Sequence, residues 1–388
     1  MTGNSVLQPQ STPAAPLFVE SADGLHHVDF GRNVVCLLGL PFDVVDLRQA
    51  TDRVIEAAAQ GRRLFLTTPN VNFAMAARHD AAFRASVIAS DLSVADGMPL
   101  IWIARLIGLP LRQRVAGSDL FERLMHRTGS PLKVYFFGGP DGVAQQASLA
   151  VNVSPGLQGA GGETPGFGDV EAMSSDLTIE RINRSGADFL LVALGAKKGQ
   201  AWIVRNLPRL TVPVVSHLGA VVNFVAGSIT RAPVWWRRLG LEWLWRIRSE
   251  PGLWRRYASD ALGLAQWMLT RVLPCFCHRH LQRWLHAPKA AELRADESPT
   301  AVSMVLAGDW LEDISAFRRA CARYANDPRA LEVDLRNIRH VDAPFIASCM
   351  LLDDYRKRIG IPLAFRVGRS ARAAFRHAGA DYLVASPA

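Results

Sequence analysis

No uninterrupted apolar run reaches the roughly 18–20 residues that a bilayer-spanning helix needs, so no transmembrane segment is expected. No Walker pattern is present, and no G-x-G-x-x-G opens a helix after a strand. Two common nucleotide-phosphate fingerprints are therefore missing. The five cysteines are odd in number and irregularly spaced, which argues against a disulfide framework and for a reducing compartment. The tightest grouping, Cys275, Cys277, His278 and His280, lacks the paired C-x-x-C spacing of a zinc site. No metal and no cofactor are expected. Met1–Pro16 carry no charge and are rich in Gln, Ser, Thr and Pro. They lack the basic start and apolar middle of a signal peptide, and residues 1–24 are read as a disordered tail.

What is present is a globular composition. The chain has 388 residues, 49% of them apolar, with a net charge of +9 and a pI of about 9.7. Such a balance favours an anionic partner: nucleic acid, anionic lipid or a nucleotide-diphosphate sugar. From Val34 onward short apolar runs alternate with helical periodicity. Val34–Gly39, Leu64–Thr67, Lys133–Gly139, Asp188–Gly195 and Val212–Gly219 read as buried strands. Strands alternating with helices imply an α/β fold, a Rossmann-like, doubly wound and mainly parallel sheet. Gly138-Gly139, after a strand and before a helix, is either a phosphate cradle or a tight turn. Gly156–Gly168 is a glycine-rich loop, either a flap or a linker.

The chemistry concentrates between Thr67 and Asp119. Pro69 stops the strand Leu64–Thr67, and Asn70 is placed to cap a following helix. Val94 ends a further strand, and Asp96-Gly97 makes the next turn. Ligands of open α/β sheets bind at the carboxyl ends of strands, so Thr68, Asn70 and Asp96 are expected to converge on one crevice. Taken singly, each piece is also ordinary turn or cap chemistry. A carboxylate in a crevice suits removal of a proton from an attacking hydroxyl. Arginines suit a departing diphosphate, because the guanidinium fork meets two phosphate oxygens at once.

Thr68-Pro69-Asn70, Ala95-Asp96-Gly97 and Arg114-Val115-Ala116-Gly117-Ser118-Asp119 form one block. Arg231-Ala232-Pro233, Gly240-Leu241-Glu242-Trp243, Arg246 and Glu250-Pro251 form a second. Their order and spacing resemble the WecG/TagA/CpsF family of bacterial glycosyltransferases from about residue 30 to residue 260. The resemblance implies inverting transfer of a sugar from a UDP-sugar to a polyprenyl-diphosphate-linked glycan acceptor, in exopolysaccharide or cell-envelope glycan biosynthesis. It implies Asp96 as catalytic base, Thr68 and Asn70 as contacts to the sugar nucleotide, and Arg114 as an active-site arginine. Arg246 and Arg256 match arginines that close over the diphosphate. Gly138, Gly139, Gln200 and Asn223 complete the expected substrate-binding set. Four positions depart from the family pattern. The family glutamine falls on Gly199 and its glutamate on Gln200. An aspartate becomes Asn223, and the first arginine of the Glu-Pro-x-Arg run becomes Leu253. These departures keep a second reading open, a catalytically silent nucleotide-sugar-binding regulator.

Between Arg231 and Trp284 the chain holds seven of its ten tryptophans, with ten arginines against three acidic residues. Arginines beside indoles suit an anionic membrane surface. The same composition suits single-stranded nucleic acid or a packed helical subdomain, and the resemblance favours the membrane. A small α/β unit follows, in which Asp334-Leu335, Val341-Asp342 and a helix start resemble a STAS domain. Ala343 and Pro344 stand where many STAS domains carry a phosphorylated serine, leaving a protein-docking role as the expectation. The expected plan is a tail (1–24), a Rossmann-like glycosyltransferase domain (25–228) and a basic Trp/Arg-rich membrane-facing appendage (229–288). A linker (289–299) and the STAS-like domain (300–388) complete it. The expected location is cytoplasmic, peripheral on the inner face of the plasma membrane, with no nucleic-acid partner.

Overall fold

A computed structural model describes residues 17–227, 232–233, 236, 242–249, 251–277, 289–311 and 313–384. Residues 1–16 of the expected tail lie outside these residues, as does Arg231, whereas residues 17–24, expected to be disordered, hold a strand at Phe18–Glu20 that pairs with His27–Asp29. Contacts divide the chain into two compact units. One comprises Val44–Arg105 and Pro110–Leu264; the other comprises the residues up to Asp43, Leu106–Leu109 and Ala265–Ala388. Residues 25–43, expected with the large domain, thus cluster with the C-terminal unit.

The chain begins with two antiparallel hairpins, β1 (Phe18–Glu20) with β2 (His27–Asp29), and β3 (Val34–Leu37) with β4 (Leu40–Asp43). Every residue of β3 and β4 is buried. A buried Arg32 guanidinium bridges to Asp43, with Nη2 2.6 Å from Oδ2 and Nε 3.2 Å from Oδ1.

The larger unit then runs α1 (Leu47–Ala59), β5 (Leu64–Thr67), α2 (Val71–His79), α3 (Ala81–Ile88), β6 (Leu92–Ser93), α4 (Met98–Leu106) and α5 (Gly117–Met125). It continues with β7 (Leu132–Gly138), α6 (Val143–Ala150), β8 (Leu157–Glu163), α7 (Asp176–Arg184), β9 (Phe189–Ala193), α8 (Ala196–Asn206), β10 (Val214–His217) and α9 (Gly219–Val225). Helices α10 (Glu242–Ser249) and α11 (Trp254–Trp267) follow. All six strands are parallel, in the order β6-β5-β10-β9-β7-β8. Leu66, Phe136, Leu191 and Val214 pack on one face of the sheet. Phe65, Phe137, Leu190, Val192 and Val215 pack on the other, against Trp202 of α8. Burial of both faces is why these strands read as continuous apolar runs rather than alternating ones. The architecture is the expected Rossmann-like sheet, and no helix among the described residues is long and apolar enough to cross a membrane.

One glycine-rich stretch is not a loop. Leu157–Glu163 is the edge strand β8. A Cβ at Gly159 would collide with the Ser148 carbonyl oxygen, and one at Gly162 with that of Ala144. The glycines are there because the backbone of α6 lies directly against the strand.

The C-terminal sheet has the order β11 (Glu292–Glu297), β12 (Ala301–Trp310), β13 (Ala330–Val341) and β14 (Leu363–Val367). Its helices are α12 (Ser315–Tyr324), α13 (Ala343–Arg358) and α14 (Arg369–Ala378). The segment expected as a linker therefore carries a strand, paired antiparallel with β12. Its side chains are half-exposed or exposed throughout, so it has the polar composition of an edge strand. Asp342 caps α13, its Oδ1 accepting from the Phe345 N–H at 3.2 Å, with Pro344 in the first turn. At the other end of α13, Arg356 is fully buried. It donates to the carbonyls of Tyr324 (2.7 Å), Asp327 (3.2 Å), Arg329 (2.6 Å) and Pro362 (3.0 Å). One guanidinium thus satisfies a ring of buried backbone acceptors, while burial lowers its pKa. Arg356→Met would strand those carbonyls and is expected to cost roughly 3 kcal/mol or more. Urea unfolding of the full chain measures the loss, and a variant within about 0.5 kcal/mol of the parent would refute the anchoring role.

Candidate active site

Three turns at the carboxyl end of the large sheet are stitched together by backbone. Thr68 is buried directly after β5, and Asn70 caps α2, its Oδ1 accepting from the Phe73 N–H at 3.1 Å. The Asp96 N–H donates to the Pro69 carbonyl at 2.9 Å, and the Val115 N–H donates to the Ala95 carbonyl at 2.9 Å. Thr68-Pro69-Asn70, Ala95-Asp96-Gly97 and Arg114-Val115 therefore lie side by side. Gly117 opens α5 close against Thr68; a Cβ there would be 3.5 Å from Thr68 Oγ1 and would collide with the Leu218 side chain. Asp96 is half-buried, so its carboxylate sits at the margin of the fold rather than inside its packing.

Arg114 is drawn on by three carboxylates. It pairs with Asp119 and with Glu242, the latter at 2.9 Å. Burial opposes its charge, but Asp119, Asp96 and Glu242 together hold its pKa above the ordinary value. Asp96 thus lies within electrostatic reach of the guanidinium. Sequence reasoning gave Glu242 no role, although it lies within the second motif. It ties α10 to the turn that precedes α5.

The other expected residues are spread along the same edge. The β9–β10 connection steps one way and the β7–β8 connection the other, so the topological switch lies between β9 and β7. Gly138-Gly139 ends β7 there. Gly138 has φ +106, and a Cβ would sit 2.6 Å from the Ala193 carbonyl oxygen. The Gly139 N–H donates to that same carbonyl at 2.9 Å. These glycines permit the close approach of two strand ends. Four strand spacings of about 4.8 Å separate them from the strand preceding Asp96. Asn223 lies half-buried on α9, whose Val222 packs over the Gly-Gly turn.

The Arg246 side chain lies outside the described residues. Arg256 is exposed on α11, 5.3 Å over the Tyr257 ring. Four residues on, both Asp260 carboxylate oxygens accept from Asn72 Nδ2, at 3.2 and 3.1 Å. This bond docks α11 on α2, two residues beyond the Asn70 cap. Burial raises the Asp260 pKa against the pull of Asn72 and Arg256. Neither Asn72 nor Asp260 was singled out from sequence, yet Asp260 is one of only three acidic residues in a strongly basic stretch.

Gln200 is wholly buried on α8, and neither amide atom has a hydrogen-bond partner among the described residues. Beside it, a Cβ on Gly199 would collide with the imidazole of His217, the last residue of β10. His217 is buried and its Nε2 is likewise unmet. Burial pulls its pKa down to about 4, so the folded chain holds it neutral. The unfolded chain takes up that proton near pH 6.5. Its contribution is therefore complete above about pH 6.5 and is lost as the pH falls towards 4. His217→Asn is expected to flatten the fall in stability between pH 7 and 4.5 by about 2–3 kcal/mol. Unfolding curves at the two pH values check this, and an unchanged difference would count against a neutral buried imidazole.

Comparison with known proteins follows this geometry. The profile of the glycosyl transferase WecG/TagA/CpsF family matches residues 35–274, well over half the chain. A Bacillus spizizenii protein is 28% identical over 202 residues, covering 52% of this chain and 77% of its own length. A Bacillus subtilis (strain 168) protein is 29% identical over 197 residues, covering 50% of this chain and 75% of its own. Both are named N-acetylglucosaminyldiphosphoundecaprenol N-acetyl-beta-D-mannosaminyltransferase.

Proposed function

The chain belongs to the glycosyl transferase WecG/TagA/CpsF family, and on that footing we propose that it transfers a sugar from a UDP-sugar to a polyprenyl-diphosphate-linked saccharide, with inversion, for exopolysaccharide or cell-envelope glycan. The observation that carries this is the half-exposed Asp96 carboxylate at the sheet edge, beside Thr68 and Asn70 and within the field of Arg114. Asp96 removes the proton from the acceptor hydroxyl as it attacks the anomeric carbon. The carbon–oxygen bond to the diphosphate breaks from the opposite side, and UDP leaves with the electron pair. Arg246 and Arg256 are the groups to neutralise the departing diphosphate. Arg114, already held by Asp119 and Glu242, acts through its field on Asp96. The nucleotide extends along the strand ends towards Gly138-Gly139, with Asn223 on the helix above.

The lipid-linked acceptor requires a membrane, and the Trp/Arg-rich appendage is the element to meet it, at the inner face. Trp243 and Trp254 are exposed within it, as membrane-interface indoles are. The C-terminal sheet unit is read as a STAS-like module that docks a protein partner. The departures at Gly199, Asn223 and Leu253 favour a second reading, a silent nucleotide-sugar sensor reporting through that module.

Turnover separates the two. With membranes or a short-chain lipid acceptor, the full chain is expected to consume a UDP-sugar. Asp96→Asn should lower turnover by about 10²-fold or more while leaving UDP affinity unchanged. Full turnover by Asp96→Asn would remove the base assignment; no turnover by the parent with intact nucleotide binding would favour the sensor. Deletion of residues 231–286 is expected to release the protein from vesicles containing anionic lipid. Undiminished vesicle binding by that truncated chain would sink the membrane role of the appendage.

A further inference from the structure

Gly199 stands where the family pattern has a polar side chain, and the fold explains why it is empty. A Cβ at 199 would collide with His217 Cδ2 and lie 3.1 Å from Nε2; one at Gly219 would lie 3.3 Å from Nε2. Two glycines thus bracket a single imidazole, and its volume is the volume a side chain at 199 would need. His217 is 8% exposed.

Buried polar atoms without partners lie on the neighbouring strand and on the helix that abuts this ring. Ser216 is in register with Leu66 and His217 with Val192, so Thr67 lies level with His217 on the same face of the sheet. Thr67 Oγ1, His217 Nε2 and both amide atoms of Gln200 are buried without hydrogen-bond partners among the described residues. Native proteins seldom leave such atoms unmet, and each costs about 1–3 kcal/mol. Four such atoms on three residues, one of them next in the chain to the glycine that abuts the ring, call for a ligand that completes them.

The chemistry of that ligand follows from what surrounds it. An imidazole held neutral, a primary amide and a hydroxyl offer donors and acceptors but no charge. Burial alone accounts for the depressed pKa of His217, and no carboxylate or cation among the described residues acts on the ring. A diphosphate would find no countercharge here. The position is specific too. β10 adjoins β5, which leads to Thr68 and Asn70, and is two strand spacings, about 10 Å, from β6 and Asp96. That is the sugar's place in a donor whose anomeric carbon meets a nucleophile beside Asp96.

We propose that His217, with Gln200 and Thr67, forms the specificity-determining floor of the donor pocket and hydrogen-bonds an uncharged hydroxyl or acylamino group of the transferred sugar, in place of the side chain that Gly199 lacks. The assignment rests on the UDP-sugar reading above. A ring substituent of the wrong configuration leaves the buried amide and imidazole unmet, and this is the larger part of discrimination at such sites.

Calorimetric titration of the full chain with UDP, UDP-hexoses and UDP-N-acetylhexosamines tests it, using the parent, His217→Asn and His217→Ala. The parent is expected to prefer one UDP-sugar. His217→Ala should weaken that sugar nucleotide about tenfold or more while UDP affinity stays within about twofold; His217→Asn, smaller but still polar, should fall between. Asn carries the test alone if the alanine variant does not fold. Equal loss for UDP and UDP-sugar would overturn the sugar assignment, and unchanged affinities would show a merely structural histidine. If the parent binds no uridine nucleotide, the donor reading falls and this assignment with it.

Discussion

Two backbone hydrogen bonds hold the candidate site in being: Asp96 N–H to the Pro69 carbonyl, and Val115 N–H to the Ala95 carbonyl. They carry the lateral pairing of the sheet beyond the point where β6 stops. Because main chain does this work, the side chains of Thr68 and Asp96 are not required for it. Asn70 does have a structural task, capping α2, which fixes the direction in which the chain leaves the site. Arg114 adds a second layer. It gathers Asp119 and Glu242 and so converts two acidic groups near one turn from mutual repulsion into a framework.

Among the described residues, the basic segment is attached to this framework through two of its acids. Glu242 reaches Arg114, and Asp260 reaches Asn72. A segment so rich in positive charge gains specificity of docking from its few negative groups, since Glu242 and Asp260 each meet a defined partner. Docking by carboxylates leaves arginines such as Arg256, exposed on α11, facing outward.

The sheet was legible because parallel strands buried on both faces are written as plain apolar runs, as in Leu64–Thr67 and Lys133–Gly139. The Asn70 cap and the Asp96-Gly97 turn were legible for the same local reason: caps and turns are short-range chemistry. What escaped detection depends on distant packing. β8 is disguised by glycines that a helix backbone requires, and β11 by the polarity of an edge. The buried β3–β4 hairpin reads as the opening of a large sheet, yet it pairs only with itself. His217 is the sharpest case. In Val-Val-Ser-His-Leu-Gly it reads as the end of a strand, and nothing local announces that α8 gives up a side chain to make room for it. Glu242 lay inside a recognised motif without a role, because its partner is 128 positions away.

The brevity of β6 has a geometric corollary. Two paired residues leave this border of the sheet nearly devoid of unsatisfied backbone groups, so no additional strand can dock alongside and wall it off. The chain turns away at once, and Asp96 stands half-buried just beyond the end of this short strand.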